Sequence, residues 1–217
     1  MFASTVSRLC NVLHTEPRYC ALLIDLDGVL RRWPETDHVL EAEHGLPPGA
    51  IRNVAFDRVL LQRAVTGDLT DSAWRKCVAE RLACDFPGAR TSEAVALWSE
   101  PIGELDTEVF ALVRRVAEKL RIVVVTNGTS RAHRDLDELS ITPHLFAIVN
   151  SSEIGIAKPD PRVFFAALEA AGAAPHQALF VDDTASNVNV AHGLGIRSLR
   201  FSGAESLEHF FMQANLL

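Results

Sequence analysis

The 217-residue chain has no surplus of positive charge, since 21 Lys and Arg face 28 Asp and Glu for a formal net charge of −7. Binding along a phosphate backbone draws on a Lys/Arg excess that displaces condensed counterions, so nucleic acid is not expected as a partner. Small anionic substrates stay open, because a few local groups hold them. Long apolar runs are missing too. Stretches such as Ile122–Val125 fall far short of the ~20 residues that span a bilayer, and no membrane segment is expected. Residues 1–20 lack the unbroken apolar stretch of a signal peptide, being interrupted by Asn11, His14, Glu16 and Arg18. Cysteine is scarce: Cys10, Cys20, Cys77 and Cys84 form no C-x-x-C pair and have no His at zinc-finger spacing. A chain this long buries enough core to do without disulfides, so reduced thiols and a cytoplasmic setting are expected. With 48% hydrophobic and 23% charged residues, the composition is that of a globular protein and excludes a disordered one.

Apolar periodicity gives the coarse architecture. Ala21–Ile24, Ile122–Val125, Leu145–Val149 and Ala178–Val181 are short apolar runs of buried-strand type, and Ile196–Phe201 is a fifth. Val109, Leu112, Val113, Val116 and Leu120 recur at helical spacing. Pro161 suits the first turn of a helix running to Ala171, with Gly172 just past its end, and Asn187–His192 reads as a helix stopped at Gly193. Strands apolar throughout and alternating with helices predict a Rossmann-like α/β core, a parallel sheet covered on both faces. Between Asp27 and Ile122 no strand pattern appears. Helical faces such as Trp74, Cys77, Val78 and Leu82 fill that gap instead. The expected organisation is therefore an N-terminal extension (1–20), a core built from 21–32 and 105–217, and an all-helical cap over 33–104 inserted after strand one.

Three of these strands end in reactive polar residues: Asp25-Leu26-Asp27, Thr126-Asn127 and Asp182-Asp183. Ligands of open parallel sheets bind outside the carboxyl ends of the strands, so these residues should converge. Asp25 and Asp27 can point the same way from one strand end, and Gly28 permits a sharp exit. Two like charges about 4 Å apart repel by roughly 4 kcal/mol at an effective dielectric of ~20. Four carboxylates in one pocket therefore call for a cation or shared protons. Oxygen-only ligands select a hard cation, and Mg²⁺ fits. Lys158, made extended by Pro159, can reach into such a pocket. Thr126 offers a hydroxyl, and the Asn127 and Gly128 backbone N–H groups suit an anion.

Asp25-Leu26-Asp27-Gly28-Val29-Leu30, Thr126-Asn127, Lys158-Pro159 and Val181-Asp182-Asp183, in that order, resemble the four motifs of the haloacid dehalogenase (HAD) superfamily. The resemblance runs from about Ala21 to the C-terminus, and the helical insert resembles the cap of subfamily I. The stretch from Val181 through Asn187 and Gly193 to Ile196 is similar to bacterial α-glucose-1-phosphate phosphatases and to the N-terminal phosphatase domain of soluble epoxide hydrolases. Trp33 and Thr66-Gly67-Asp68-Leu69-Thr70 add to that kinship. The resemblance implies a Mg²⁺-dependent phosphatase acting on a small phosphorylated metabolite such as a sugar phosphate. Asp25 would be the nucleophile that forms an aspartyl-phosphate, and Asp27 the acid and base. Mg²⁺ would be held by the Asp25 and Asp183 carboxylates and the Asp27 backbone carbonyl, with Asp182 in support. Thr126, Asn127 and Lys158 would hold the phosphoryl oxygens.

Dehalogenases of this superfamily lack the second aspartate of the first motif, and Asp27 argues against them. A phosphomutase keeps all four motifs and stays open. A phosphoacceptor signalling module places its acidic pair first, whereas here Asp-x-Asp leads; a non-catalytic ligand-binding module is the remaining alternative. Arg31, Arg32 and Trp33 read either as the lining of a substrate entrance or as an exposed hinge with solvated arginines. The run Arg131–Glu138 reads as a solvated helix face, His192 as a surface or packing residue, and Trp74 and Trp98 as cap core. A monomer or homodimer is expected.

Overall fold

The computed structural model describes residues 19–34 and 37–217. The expected N-terminal extension, with Cys10, lies outside these residues apart from Tyr19 and Cys20. Strand β1 (Ala21–Ile24) is apolar and buried at every position, and a tight turn leads from it to β2 (Arg31–Arg32). The helices α1 (Asp37–Glu43), α2 (Ala50–Ala55), α3 (Arg58–Val65), α4 (Asp71–Asp85) and α5 (Thr91–Trp98) follow. Strand β3 (Glu104–Leu105) then returns to pair antiparallel with β2. The rest of the chain alternates: α6 (Thr107–Val116), β4 (Arg121–Thr126), α7 (Ala132–Glu138), β5 (Ala147–Asn150), α8 (Ser151–Ile154) and α9 (Pro161–Ala171). It ends with β6 (Ala178–Asp182), α10 (Ala185–Gly193), β7 (Arg197–Arg200) and α11 (Ala204–Gln213).

The main sheet has the order β5-β4-β1-β6-β7 and is parallel throughout. This is the Rossmann-like α/β fold that the apolar runs predict. Alternation of side chains divides it into two buried faces. Leu22, Ile24, Ile122, Val124, Leu179 and Val181 pack with the apolar stripes of α6 and α11 on one side. Leu23, Val123, Val125 and Phe180 pack with Val163, Phe164 and Ala167 of α9 on the other. Each such side chain contributes about 1.5–3 kcal/mol by leaving water, which is why the strands read as continuous apolar runs. The helices between β2 and β3 bury a separate cluster that includes Ile51, Trp74, Val78, Leu82 and Val95. Thr70 caps α4 by accepting from the Ala73 amide at 3.2 Å.

Three details differ from the sequence reading. The β2–β3 pair lies inside the stretch that showed no strand pattern; it is two residues long on each side, too short for any periodicity. Helix α10 runs through Gly193, and the left-handed stop falls at Gly195 (φ 84°). The run over α7 is a solvated face only in part: His133, Arg134, Asp137 and Glu138 are exposed, but Asp135 is buried, and Arg131 bonds to it through Nε at 3.0 Å.

Candidate active site

Because β1 lies between β4 and β6, the carboxyl ends of these three strands bring Asp25, Thr126 and Asp182 together at one sheet edge. Asp25 is buried at 7% exposure. Its Oδ1 accepts from the Leu26 amide at 2.7 Å and faces Lys158 Nζ at 2.7 Å, which leaves Oδ2 without a donor among the described residues. Lys158 reaches Asp182 Oδ2 at the same distance. Asp182 is filled on both oxygens: Oδ1 accepts from the Thr184 amide (2.8 Å), and Asn187 Nδ2 donates to both at 3.0 Å. Its role is thus to hold Lys158 and the start of α10. Asp183 is exposed, and its Oδ1 accepts from Thr184 Oγ1 at 3.0 Å. Gly28, at φ +82°, closes over it; a Cβ there would collide with Asp183 Oδ2 and lie 2.9 Å from Cγ.

Oxygen atoms of Asp25, Asp182 and Asp183 lie within 4.8 Å of one another. The carboxylate of Asp27 is not in that group. Arg31 forks onto it, Nε to Oδ1 at 2.7 Å and Nη2 to Oδ2 at 3.0 Å, and Trp33 Nε1 donates to Oδ1 at 2.6 Å. Four carboxylates were expected to converge; three meet within this distance, and the fourth is held by a guanidinium and an indole, near enough to push the Asp25 carboxyl up. Arg31 is likewise buried rather than solvated. Trp33 is 43% exposed, and Arg32 pairs with Asp106.

The electrostatics follow from this packing. With protein groups alone around it, the Asp25 carboxyl is pushed up to about 8, chiefly by burial; Lys158 pulls it down, and Asp182 and Asp27 push it up further. Burial disfavours the charged Lys158, yet Asp25 and Asp182 outweigh it and hold the ammonium above its ordinary value. A cation beside Asp25 and Asp183 would favour the ionised carboxylate. The donor set is all oxygen, as a hard cation requires, and Gly28 keeps a side chain out of the space beside Asp183.

The turn after β4 is fixed from several directions. Asn127 Oδ1 accepts from the Lys158 amide at 2.7 Å, and Asn127 Nδ2 donates to the Lys158 carbonyl at 2.9 Å. The side chain of Asn127 thus orients Lys158, while Thr126 stands buried at the strand end. Asn150 Nδ2 donates to the Thr129 carbonyl at 3.0 Å. Asn187 was not singled out for the site. The only signal available was its place on the first turn of the helix after Asp182-Asp183.

A buried carboxylate held by a lysine thus stands beside a second acidic group and a fixed turn at the carboxyl edge of a Rossmann-like core. A haloacid dehalogenase-like hydrolase model matches residues 20–195, and the chain belongs to that family. Bifunctional epoxide hydrolase 2 of Sus scrofa is 25% identical over 197 residues, covering 82% of this chain and 36% of that protein. Phosphoglycolate phosphatase of Pseudomonas putida is 26% identical over 193 residues, covering 81% of this chain and 66% of that one. The chain therefore spans only part of the length of these relatives. A HAD family enzyme of Bacteroides thetaiotaomicron, solved with magnesium and inorganic phosphate, has the same fold, with a TM-score of 0.72 at 21% identity over 89% of this chain and 99% of that one. Among the described residues no helix is long and apolar enough to cross a membrane, and Cys20, Cys77 and Cys84 are free thiols.

Proposed function

We propose that the protein is a Mg²⁺-dependent phosphatase that cleaves a small phosphate monoester, such as a sugar phosphate, through an aspartyl-phosphate on Asp25. The observation that carries this reading is the division of labour on the Asp25 carboxylate: Oδ1 is tied to Lys158 and the Leu26 amide, while Oδ2 has no donor among the described residues. The free oxygen is the one able to attack phosphorus. Splitting hydrolysis into two transfers replaces one hard step by two easier ones, and what phosphoryl transfer asks of a protein is mostly positioning and charge stabilisation. Lys158 offsets charge on the nucleophile and on the phosphoryl oxygens. The Thr126 hydroxyl and the Asn127 amide hold those oxygens in line. Asp27 protonates the departing alcohol oxygen and then takes a proton from the water that frees phosphate.

Asp25 and Asp183 would hold Mg²⁺ together with the Asp27 carbonyl, and Asp182 supports them through Lys158. When bound, the ion supplies positive charge against the phosphoryl oxygens. The helices of residues 33–104 are read as a cap that covers the site and keeps out polymers and bulk water. The presence of Asp27 supports phosphoryl chemistry over dehalogenation. A panel of phosphorylated metabolites assayed for phosphate release, with Mg²⁺ and with EDTA, tests the reading. Release that needs Mg²⁺ is expected; release unaffected by EDTA, or isomerised phosphosugar without free phosphate, contradicts it.

A further inference from the structure

The residue that holds Asp27 also gathers both ends of the helical insert. Arg31 lies in β2, and the residue is 4% exposed. Nε and Nη2 take the two oxygens of Asp27, whereas Nη1 reaches Asp135 Oδ2 on α7 at 3.0 Å and the Ile102 carbonyl at 3.2 Å. Ile102 belongs to the linker that returns from the insert. Its neighbour Gly103, at φ +80°, lies directly on the Arg31 stem, where a Cβ would come within 2.7 Å of Cγ and Cδ. Asp135 accepts from Arg131 Nε at 3.0 Å, and Arg131 donates to the Ser99 and Pro101 carbonyls at 2.5 and 2.7 Å. Arg75 of α4 meets the same Ser99 carbonyl at 2.9 Å and pairs with Asp71. Asp71 in turn accepts from Thr129 Oγ1 at 2.8 Å, beside the turn that follows β4.

Arg31, Arg131 and Arg75 along this path face Asp135, Asp71 and Asp27, so their charges cancel with Asp27 counted. The second carboxylate on the fork is Asp27, whose side chain stays 41% exposed while that of Arg31 is 5% exposed. The guanidinium therefore grips Asp27 from the protein side and leaves the carboxyl accessible.

We propose that Arg31 is the positioning residue for Asp27, and that through Ile102 and Asp135 it makes the aim of that carboxyl depend on how the helical insert is docked. This rests on the reading of Asp27 as proton carrier. In the first transfer the bond from Asp25 Oδ2 to phosphorus forms, the ester P–O bond breaks, and the Asp27 proton passes to the departing oxygen. In the second, water attacks phosphorus, its proton goes to Asp27, and the bond to Asp25 breaks. A planar fork fixes both carboxylate oxygens at once, which a point charge does not.

The leaving group separates positioning from mere structural support. A phenolate departs from an activated aryl phosphate without a proton; an alkoxide from an alkyl phosphate needs one. Arg31→Met, Arg31→Lys and Asp135→Asn are compared with the wild type on one ester of each kind, and folding is checked by circular dichroism. Arg31→Met should lower kcat/KM, which reports the first transfer alone, on the alkyl ester on the order of 100-fold, the scale of general acid catalysis, and on the aryl ester by less than about tenfold. Arg31→Lys should recover part of the alkyl activity, and Asp135→Asn should show the same selectivity more weakly. If Arg31→Met does not fold, Arg31→Lys and Asp135→Asn decide by the same criterion. Equal losses on both esters, or no loss in a folded variant, overturn the inference and leave the phosphatase reading intact. A wild type that cleaves no phosphate ester overturns both.

Discussion

Replacing Lys158 by Met removes the ammonium from between two buried carboxylates and keeps most of the side-chain volume. Lys158 Nζ stands 2.7 Å from Asp25 and 2.7 Å from Asp182, and the Lys158 side chain is 1% exposed. Taking one partner out of a buried ion pair leaves uncompensated charge and costs about 3–5 kcal/mol. For a chain of this size each kcal/mol moves Tm by roughly 2–4 °C, so a fall of about 6–20 °C is expected. The loss should grow with pH. In the folded protein Asp25 is raised to about 8, against ~3.9 in an unfolded chain. Between those values the fold holds a proton that the unfolded chain releases, so stability falls as pH rises. Without Lys158 the Asp25 carboxyl loses the charge that pulls it down, and the fall in stability continues above about pH 8, where the wild type levels off. Urea unfolding in EDTA at pH 5 and pH 8.5 measures this. Equal destabilisation at both pH values, or none at pH 8.5, would refute the buried triad as the source of the effect.

Gly28→Ala should cost about 1–2 kcal/mol from the left-handed backbone alone and weaken Mg²⁺ binding, because the new methyl displaces Asp183; unfolding and metal titration report the two losses separately. A variant that binds Mg²⁺ as tightly as wild type would show that Asp183 does not need that space. Mg²⁺ should raise Tm more at pH 8.5 than at pH 5.5, since below about 8 the ion must displace the Asp25 proton. Saturation at about 100 times Kd corresponds to roughly 2.7 kcal/mol. A pH-independent rise in Tm contradicts Asp25 as a ligand.

The core was legible because β1, β4 and β6 are buried on both faces and must be apolar at every position. The start of α9 was legible through Pro161 in its first turn; Asp160, whose Oδ1 accepts from the Arg162 amide at 2.9 Å, caps it. What the sequence hid depends on contacts far apart along the chain. Strands β2 and β3 exist only through pairing between Arg31 and Leu105 and between Arg32 and Glu104. Arg131 and Asp135 looked solvated because helical spacing shows that they share a face but not that the insert's return linker lies on it. Asp27 is two residues from Asp25, and alternation places both on one side; no spacing shows that Arg31 and Trp33 take the oxygens of Asp27. Asp182 and Asp183 are adjacent and alike, yet Asp182 is saturated by Lys158, Thr184 and Asn187, whereas Asp183 is left exposed. No spacing rule separates them.

The central claim is that Asp25 takes the phosphoryl group. Acid quenching of the enzyme during turnover of a radiolabelled phosphate ester, followed by peptide mapping, tests it. The label should sit on the peptide containing Asp25 and vanish in Asp25→Asn together with turnover. Label on another residue, or continued turnover in folded Asp25→Asn, would contradict it.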